Sequence, residues 1–452
     1  MSQNPSFLPA GLQLAELISA LSHALDLTEG QPQGHCVRCC WIGMHLGQAI
    51  GLDDQQRWEL YYTLLLKDLG CSSNAARICQ LYLTDDLGFK RDFKRVGDSL
   101  PQVVRFVLQH TGLKAGLAER FRSVLHVLRD GQELAQELIQ TRCQRGAEIA
   151  RLLRFSEGVA AGIYHLDEHW NGQGMPDNLG GERIPLYSRI ALLAQVIDVF
   201  HRADGQGAAL AEARKRSGQW FDPALVDALD TLAPQSDFWA MLSSERITTA
   251  LLALEPIGCE VPLDDDYLDD IATAFGQVVG SKSPYTSGHS ARVALYTDLI
   301  AEAMGIDAPR RRWLKRGALL HDVGKLGVSN SVLDKAGALD AAEWAAVRQH
   351  AQLTEDIRSK ISAFRELAKV AGAHHERLDG KGYPRGLMAD DIGLETRIIT
   401  TADIFDAITA ERPYRGAIPI PQTLEMMAKT VGTALDPDCF AALRLAMERL
   451  ET

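Results

Sequence analysis

Apolar residues recur every three to four positions along most of this chain, and runs that alternate with period two are nearly absent. Stretches such as ARVALYTDLIAEAM (291–304), ELAKVAGAHHE (366–376) and TRIITTADIFDAI (396–408) therefore read as amphipathic helices with one face toward a core. Breakers such as Gly305 and Pro309 separate them. The pattern predicts an all-α fold.

The helical pattern occurs twice. Residues 34–53 read GHCVRCCWIGMHLGQAIGLD and residues 288–307 read GHSARVALYTDLIAEAMGID. Each begins Gly-His, places Arg three residues after the His (Arg38, Arg292), and ends Gly-aliphatic-Asp. LLLKDLG (64–70) lies over ALLHDVG (318–324) at the same offset of 254 residues. HWNGQGMP (169–176) resembles RLDGKGYP (377–384), and nineteen residues beyond each Pro stand Gln195 and Asp403. WFDP (220–223) matches ALDP (434–437). Similarity of this length points to duplication of a whole domain of roughly 190 to 220 residues. The expected layout is a first copy over 10–234, a connector over 235–263 and a second copy over 264–449. The breakers Pro256, Gly258 and Pro262 end that connector, and FWAMLSSERITTALLALE within it reads as a helix packing the halves together.

Composition narrows the function classes. The 452 residues are 46% hydrophobic and 23% charged, ordinary values for a globular chain of two domains. A net charge of −12 excludes a protein that coats nucleic acid, since no broad basic surface is available, while a small anionic ligand in one pocket remains compatible. MSQNPSFLPAGLQL lacks a secretory pattern, and no run of about 18 apolar residues exists to span a membrane. Eight unpatterned Cys suit a reducing compartment, so the expected location is the cytoplasm. Cys36, Cys39 and Cys40 lack a second pair at zinc-site spacing and read as small buried side chains.

The second copy carries the chemistry. It holds His289, His321, His350, His374 and His375, two of them adjacent and one directly before Asp322. Neutral imidazoles with carboxylates are borderline ligands for iron, manganese, zinc or nickel, and the two oxygens of Asp322 suit a bridge between two ions. Lys325, a turn past His321, brings an ammonium to the same place. Gly380 and Gly382 permit a tight turn near a ligand, and Arg412 and Arg415 flank Pro413-Tyr414 on a stiff loop able to present forked donors.

HDVGK (321–325), HHERLDGKGYP (374–384) and ADIFDAITAERPYR (402–415) closely resemble the signature blocks of HD-GYP domains, a subgroup of the HD phosphohydrolases, over about 264–440. The resemblance implies an all-helical domain with cyclic di-GMP phosphodiesterase activity at a centre of two or three iron or manganese ions. The implied ligands are His289, His321, Asp322, His350, His374, His375 and Asp403, with Asp322 as the bridge. Lys325 is implied to sit by the phosphate and the attacking hydroxide. Arg412, Arg415 and Tyr383 match positions that contact or border the cyclic dinucleotide. Where members with a third metal carry Glu, this chain has Tyr285, so two ions are expected. HAQL replaces a His-Pro after His350, a loop change, and Ser283 stands where some members place a ligand-contacting Asp.

The first copy has lost most of this set. His35 and Asp68 remain, but Lys67 replaces His321, Cys71 replaces Lys325, Gln195 replaces Asp403, and Arg142 stands where His350 does. An ungapped match puts Leu166 and Asp167 at the His pair, and a two-residue gap puts Tyr164 and His165 there. An ammonium in the cage repels a dication, so no metal is expected there, and His169, Trp170 and Asn171 read as packing. The first copy is expected to serve regulation, homodimerisation or partner binding. The leading function is hydrolysis of cyclic di-GMP to the linear dinucleotide and onward to GMP. Its rivals are hydrolysis of another cyclic dinucleotide or nucleotide phosphoester, and a nucleotide-sensing scaffold.

Overall fold

The computed structural model describes residues 13–97, 100–113, 115–256, 263–359, 365–411 and 415–451. The fold is all-α, and among these residues the only β pairing is four isolated bridges. No helix among them is long and apolar enough to cross a membrane. Two compact units meet in sequence at residues 262 and 263.

In the second unit, helices Asp265–Gly280, His289–Ala303, Ala308–Leu319, Ala341–Ser359, Arg365–Gly372 and Leu394–Thr409 surround the site, and Pro437–Glu451 packs against the second of them. Their starts are set locally. Asp264 accepts from Tyr267 N at 2.7 Å, and Asp307 accepts from Arg310 N at 2.8 Å with a Pro in the first turn. Ile271, Phe275, Val293, Leu314, Ile399 and Phe405 are buried between them. Gly288 precedes His289 with φ +69°, and a Cβ there would lie 3.0 Å from Arg292 Nη1. The Gly-His-x-x-Arg pattern is thus a helix start whose Arg folds back over a bare backbone. Gly324 lets the short 3₁₀ turn Val323–Gly327 touch the helix that carries His350, since a Cβ would fall 2.0 Å from the His350 carbonyl oxygen.

The first unit repeats this frame with helices His35–Ala49, Asp54–Leu66, Leu117–Leu152, Glu157–Tyr164 and Leu186–Arg216. It adds short helices Ala75–Tyr82, Asp86–Phe93 and Leu100–His110 between Asp68 and the long helix. The segment read as a single connector helix forms two, Ser236–Met241 and Ile247–Leu252. Ser244 Oγ accepts from Arg246 N at 3.1 Å in the break, a local bond that competes with helix continuation. Both pieces pack within the first unit: Trp41 Nε1 donates to Phe238 O at 3.2 Å, and Leu251 is buried.

Candidate metal centre

All seven expected ligands converge in the second unit, from five separate stretches of chain. Asp322 is at the centre. Its Oδ2 lies 3.3 Å from His289 Nε2 and 3.2 Å from His321 Nε2, and its Oδ1 lies 3.4 Å from His350 Nε2 and 3.6 Å from His374 Nε2. Asp403 Oδ1 adds to the first lobe, 3.2 Å from His289 Nε2. His375 completes the second, its Nε2 3.2 Å from that of His350. Asp322 therefore offers one oxygen to each lobe, the arrangement a bridging carboxylate needs.

The imidazoles are oriented from behind. His289 Nδ1 donates to Asp406 at 2.7 Å and His321 Nδ1 to the Ala318 carbonyl at 2.6 Å, while His350 and His374 donate to the carbonyls of Val347 and Ala371. Each of these bonds leaves Nε2 facing inward, as a ligand requires. Among the described residues, the Nε2 atoms of His289, His321 and His374 and Oδ1 of Asp322 are buried without a hydrogen-bond partner. Four such orphans in one cluster carry a large desolvation cost unless something binds them. The donors are borderline nitrogen and hard oxygen, which fit two divalent transition-metal ions.

Electrostatics divides the cluster. Burial alone would lower His289 and His321, but the carboxylates of Asp322 and Asp403, with Asp406 behind His289, raise them to about 10 and about 9. Burial holds His350 down at about 3 and His375 well below the ordinary imidazole value. Burial would raise Asp322, yet His321 and Lys325 hold it well below the carboxylate range. Without metal, the carboxylates of the first lobe favour protons on His289 and His321, while burial disfavours the charged forms of His350 and His375. A dication entering the first lobe displaces those protons.

Lys325 Nζ donates to Asp322 Oδ2 at 2.5 Å and is partly exposed at the rim. Tyr383 packs against His375 with ring centroids 4.7 Å apart, and burial together with Asp322 and Asp403 pushes its phenol up, so it stays neutral. Arg415 caps the helix Leu394–Thr409, its Nη1 and Nη2 donating to the carbonyls of Ala407, Ile408, Ala410 and Gly416. Arg412 lies outside the described residues. Tyr285 is partly exposed in the turn before His289, and Ser283 Oγ donates to Asp334 at 2.5 Å.

Asp406, absent from the sequence-based set, holds His289 and Arg292 together. The signal was present: Asp198 stands at its place in the first copy, where Gln195 has replaced Asp403. There His35 Nδ1 donates to Asp198 at 2.7 Å and Arg38 Nε at 2.6 Å, the same lock.

The rest of the first cage is filled by charged side chains. Lys67 pairs with Asp68, and Asp68 keeps the buried ammonium charged against desolvation. Lys94 pairs with Glu29 at 2.8 Å, and Lys94 and Lys90 hold that carboxyl down to about 2 despite burial. Arg142 and Asp167 form an ion pair where His350 and His375 meet in the second unit, which selects the ungapped correspondence. Cys36, Cys39 and Cys40 are buried, and burial pushes their thiols up. His169 stacks on Trp220 with centroids 4.3 Å apart.

A family model described as an HD domain matches residues 113–225 and 274–439. The chain is 57% identical to 3'3'-cGAMP-specific phosphodiesterase 3 of Vibrio cholerae, over 97% of this chain and 95% of that protein. A solved cyclic GMP-AMP-specific phosphodiesterase of V. cholerae matches with TM-score 0.67 and 51% identity, covering 97% of this chain and 98% of that one. The cyclic di-GMP phosphodiesterase response regulator RpfG of Xanthomonas campestris is 36% identical over 37% of this chain and 44% of its own. With its tandem HD domains and the complete His/Asp cage in the second, this chain belongs to the HD-GYP family of metal-dependent phosphodiesterases.

Proposed function

We propose that the second unit hydrolyses 3'3'-cyclic GMP-AMP to a linear dinucleotide, using seven ligands, His289, His321, Asp322, His350, His374, His375 and Asp403, for two ions. The observation that carries the substrate is the 57% identity, over nearly the whole chain, to a relative named for that molecule. The cyclic di-GMP expectation gives way because relatives named for that molecule, RpfG among them, match 35% to 41% of the chain. A metal cage holds phosphate and does not choose bases, so the signature motifs alone could not separate the two.

Bound there, two ions would neutralise the anionic diester oxygens and lower the pKa of the attacking water. The protein's own groups do the rest. Asp322 holds the two lobes in register. The backbone-anchored imidazoles keep their donor atoms fixed, so the charge needed at the reacting phosphate is in place beforehand. Lys325, tied to Asp322 at one end of its reach, is placed to donate to a non-bridging phosphate oxygen and hold the diester against the cage. The first unit, with its cage closed by ion pairs, acts as scaffold or regulator.

Turnover of cyclic GMP-AMP, cyclic di-GMP and cyclic di-AMP by anaerobically purified, metal-loaded protein tests this reading. The expected outcome is kcat/KM highest for cyclic GMP-AMP. Preference for cyclic di-GMP would restore the earlier substrate, and no turnover of any of the three would remove the dinucleotide class.

A further inference from the structure

Trp344 is the one exposed aromatic ring among the described residues of the second unit, with 46% of its surface in water. It sits on the helix Ala341–Ser359 one turn before Arg348, so the two share a face. The Arg348 guanidinium carbon lies 5.9 Å from the Trp344 ring centroid and 5.6 Å from that of Tyr383. Tyr383 in turn packs on the ligand His375. A ladder of planar groups thus climbs from the metal cage through Tyr383 and Arg348 to an open indole face. Among the described residues Arg348 has no carboxylate partner, whereas Arg377, Arg385 and Arg397 in the same unit are each paired.

The first unit supplies the comparison. The correspondence that puts Arg142 at His350 and Met175 at Tyr383 puts Gln136 at Trp344 and Gln140 at Arg348. Gln136 is turned to its own loop, donating to the Pro176 carbonyl at 2.7 Å. The ladder is absent where the cage is absent. A role in helix packing would have been needed in both copies.

We infer that Trp344, Arg348 and Tyr383 form a nucleobase platform for the substrate of the proposed reaction, an inference that rests on the cyclic dinucleotide reading. A purine stacks on the exposed indole, where base–aromatic stacking is sequence-tolerant and strong. Arg348, with its guanidinium over both rings, directs its forked donors at the O6 and N7 acceptors of guanine, a pairing that adenine, with a donor at that edge, does not match. Trp344 thus supplies affinity, and Arg348 selects guanine.

Steady-state kinetics of the metal-loaded, full-length protein tests it. Trp344→Ala is expected to raise KM for cyclic GMP-AMP about tenfold to a hundredfold with little change in kcat, and Trp344→Phe to recover most of the loss. Turnover of bis-nitrophenyl phosphate and the metal content should stay at wild-type levels in both variants. An unchanged KM, or equal loss on both substrates, overturns the platform. Binding of GMP and AMP, followed by tryptophan fluorescence, separates this inference from the substrate reading. Wild type should prefer GMP, and Arg348→Ala should erase the preference whether or not cyclic GMP-AMP is turned over. No preference in the wild type, or one that survives in Arg348→Ala, refutes the role of Arg348.

Discussion

Asp406 takes a hydrogen bond from His289 Nδ1 at 2.7 Å, and three residues earlier on the same helix Asp403 reaches the opposite nitrogen at 3.2 Å. One helix therefore grips a single imidazole from both sides, through Asp406 as orienter and through Asp403 as co-ligand in the proposed site. The orienting half is kept in the first unit by Asp198, and the co-ligand half is lost.

Replacing Asp406 with Ala should leave the ligand set intact but free the His289 ring and uncouple Arg292. Loss of such a supporting bond commonly costs about tenfold to a hundredfold in metal affinity or activity. Metal titration of the apoprotein by calorimetry checks it, and wild-type affinity would reduce Asp406 to a packing residue.

Asp322→Ala should abolish metal binding and hydrolysis together, since it removes an oxygen from each lobe. Elemental analysis of this variant also reads the first unit: one stoichiometric ion left in the chain would mean that the Lys67-filled cage takes metal.

Lys325→Ala should keep its metal and lose rate, by about 10²–10³ in kcat if the ammonium is a preorganised charge donor to phosphate. Full activity would leave Lys325 only its ion pair with Asp322.

The metal-free protein should lose stability toward alkaline pH. The folded values of about 10 for His289 and about 9 for His321 lie above the ordinary 6.5. Their protonated forms therefore stabilise the fold fully below pH 6.5, and that contribution falls away as pH rises through about 9 to 10. Thermal unfolding of chelator-treated protein between these limits checks the sign, and a Tm that rises over the window contradicts it. Metal affinity should climb over the same range, because each ion must displace protons.

Lys67→Met should leave the buried Asp68 carboxylate unpaired and cost the first unit about 3–5 kcal/mol. The double change with Asp68→Asn should recover much of that loss. Additive losses in thermal unfolding would mean that the two charges are not coupled.

The helices, the duplication and the seven-residue cage were legible because each depends on local pattern or residue chemistry. The Gly-His-x-x-Arg repeat marked the helix that starts at His289, and the His/Asp inventory marked the cage. Asp406 was missed because its role is to hold another residue, and nothing in one strand of text says which nitrogen a carboxylate faces. Charge on a loop made Arg415 read as a substrate contact, and no local pattern announced that its Nη1 and Nη2 also donate to four carbonyls at a helix end. The connector read as one helix because its apolar spacing continues across Ser243 and Ser244, where a side-chain bond breaks the backbone ladder.

The ammonium of Lys67 and the lysines facing Glu29 are made by the ribosome along with the rest of the chain. The charge that completes the other cage has to be acquired afterwards, from whatever transition metal the cell has to spare. A copy of this chain folded without metal would have the charges of its first unit in place and the cage of its second still without ions. Restoring the metal would switch on protein already in place, with no need for new synthesis.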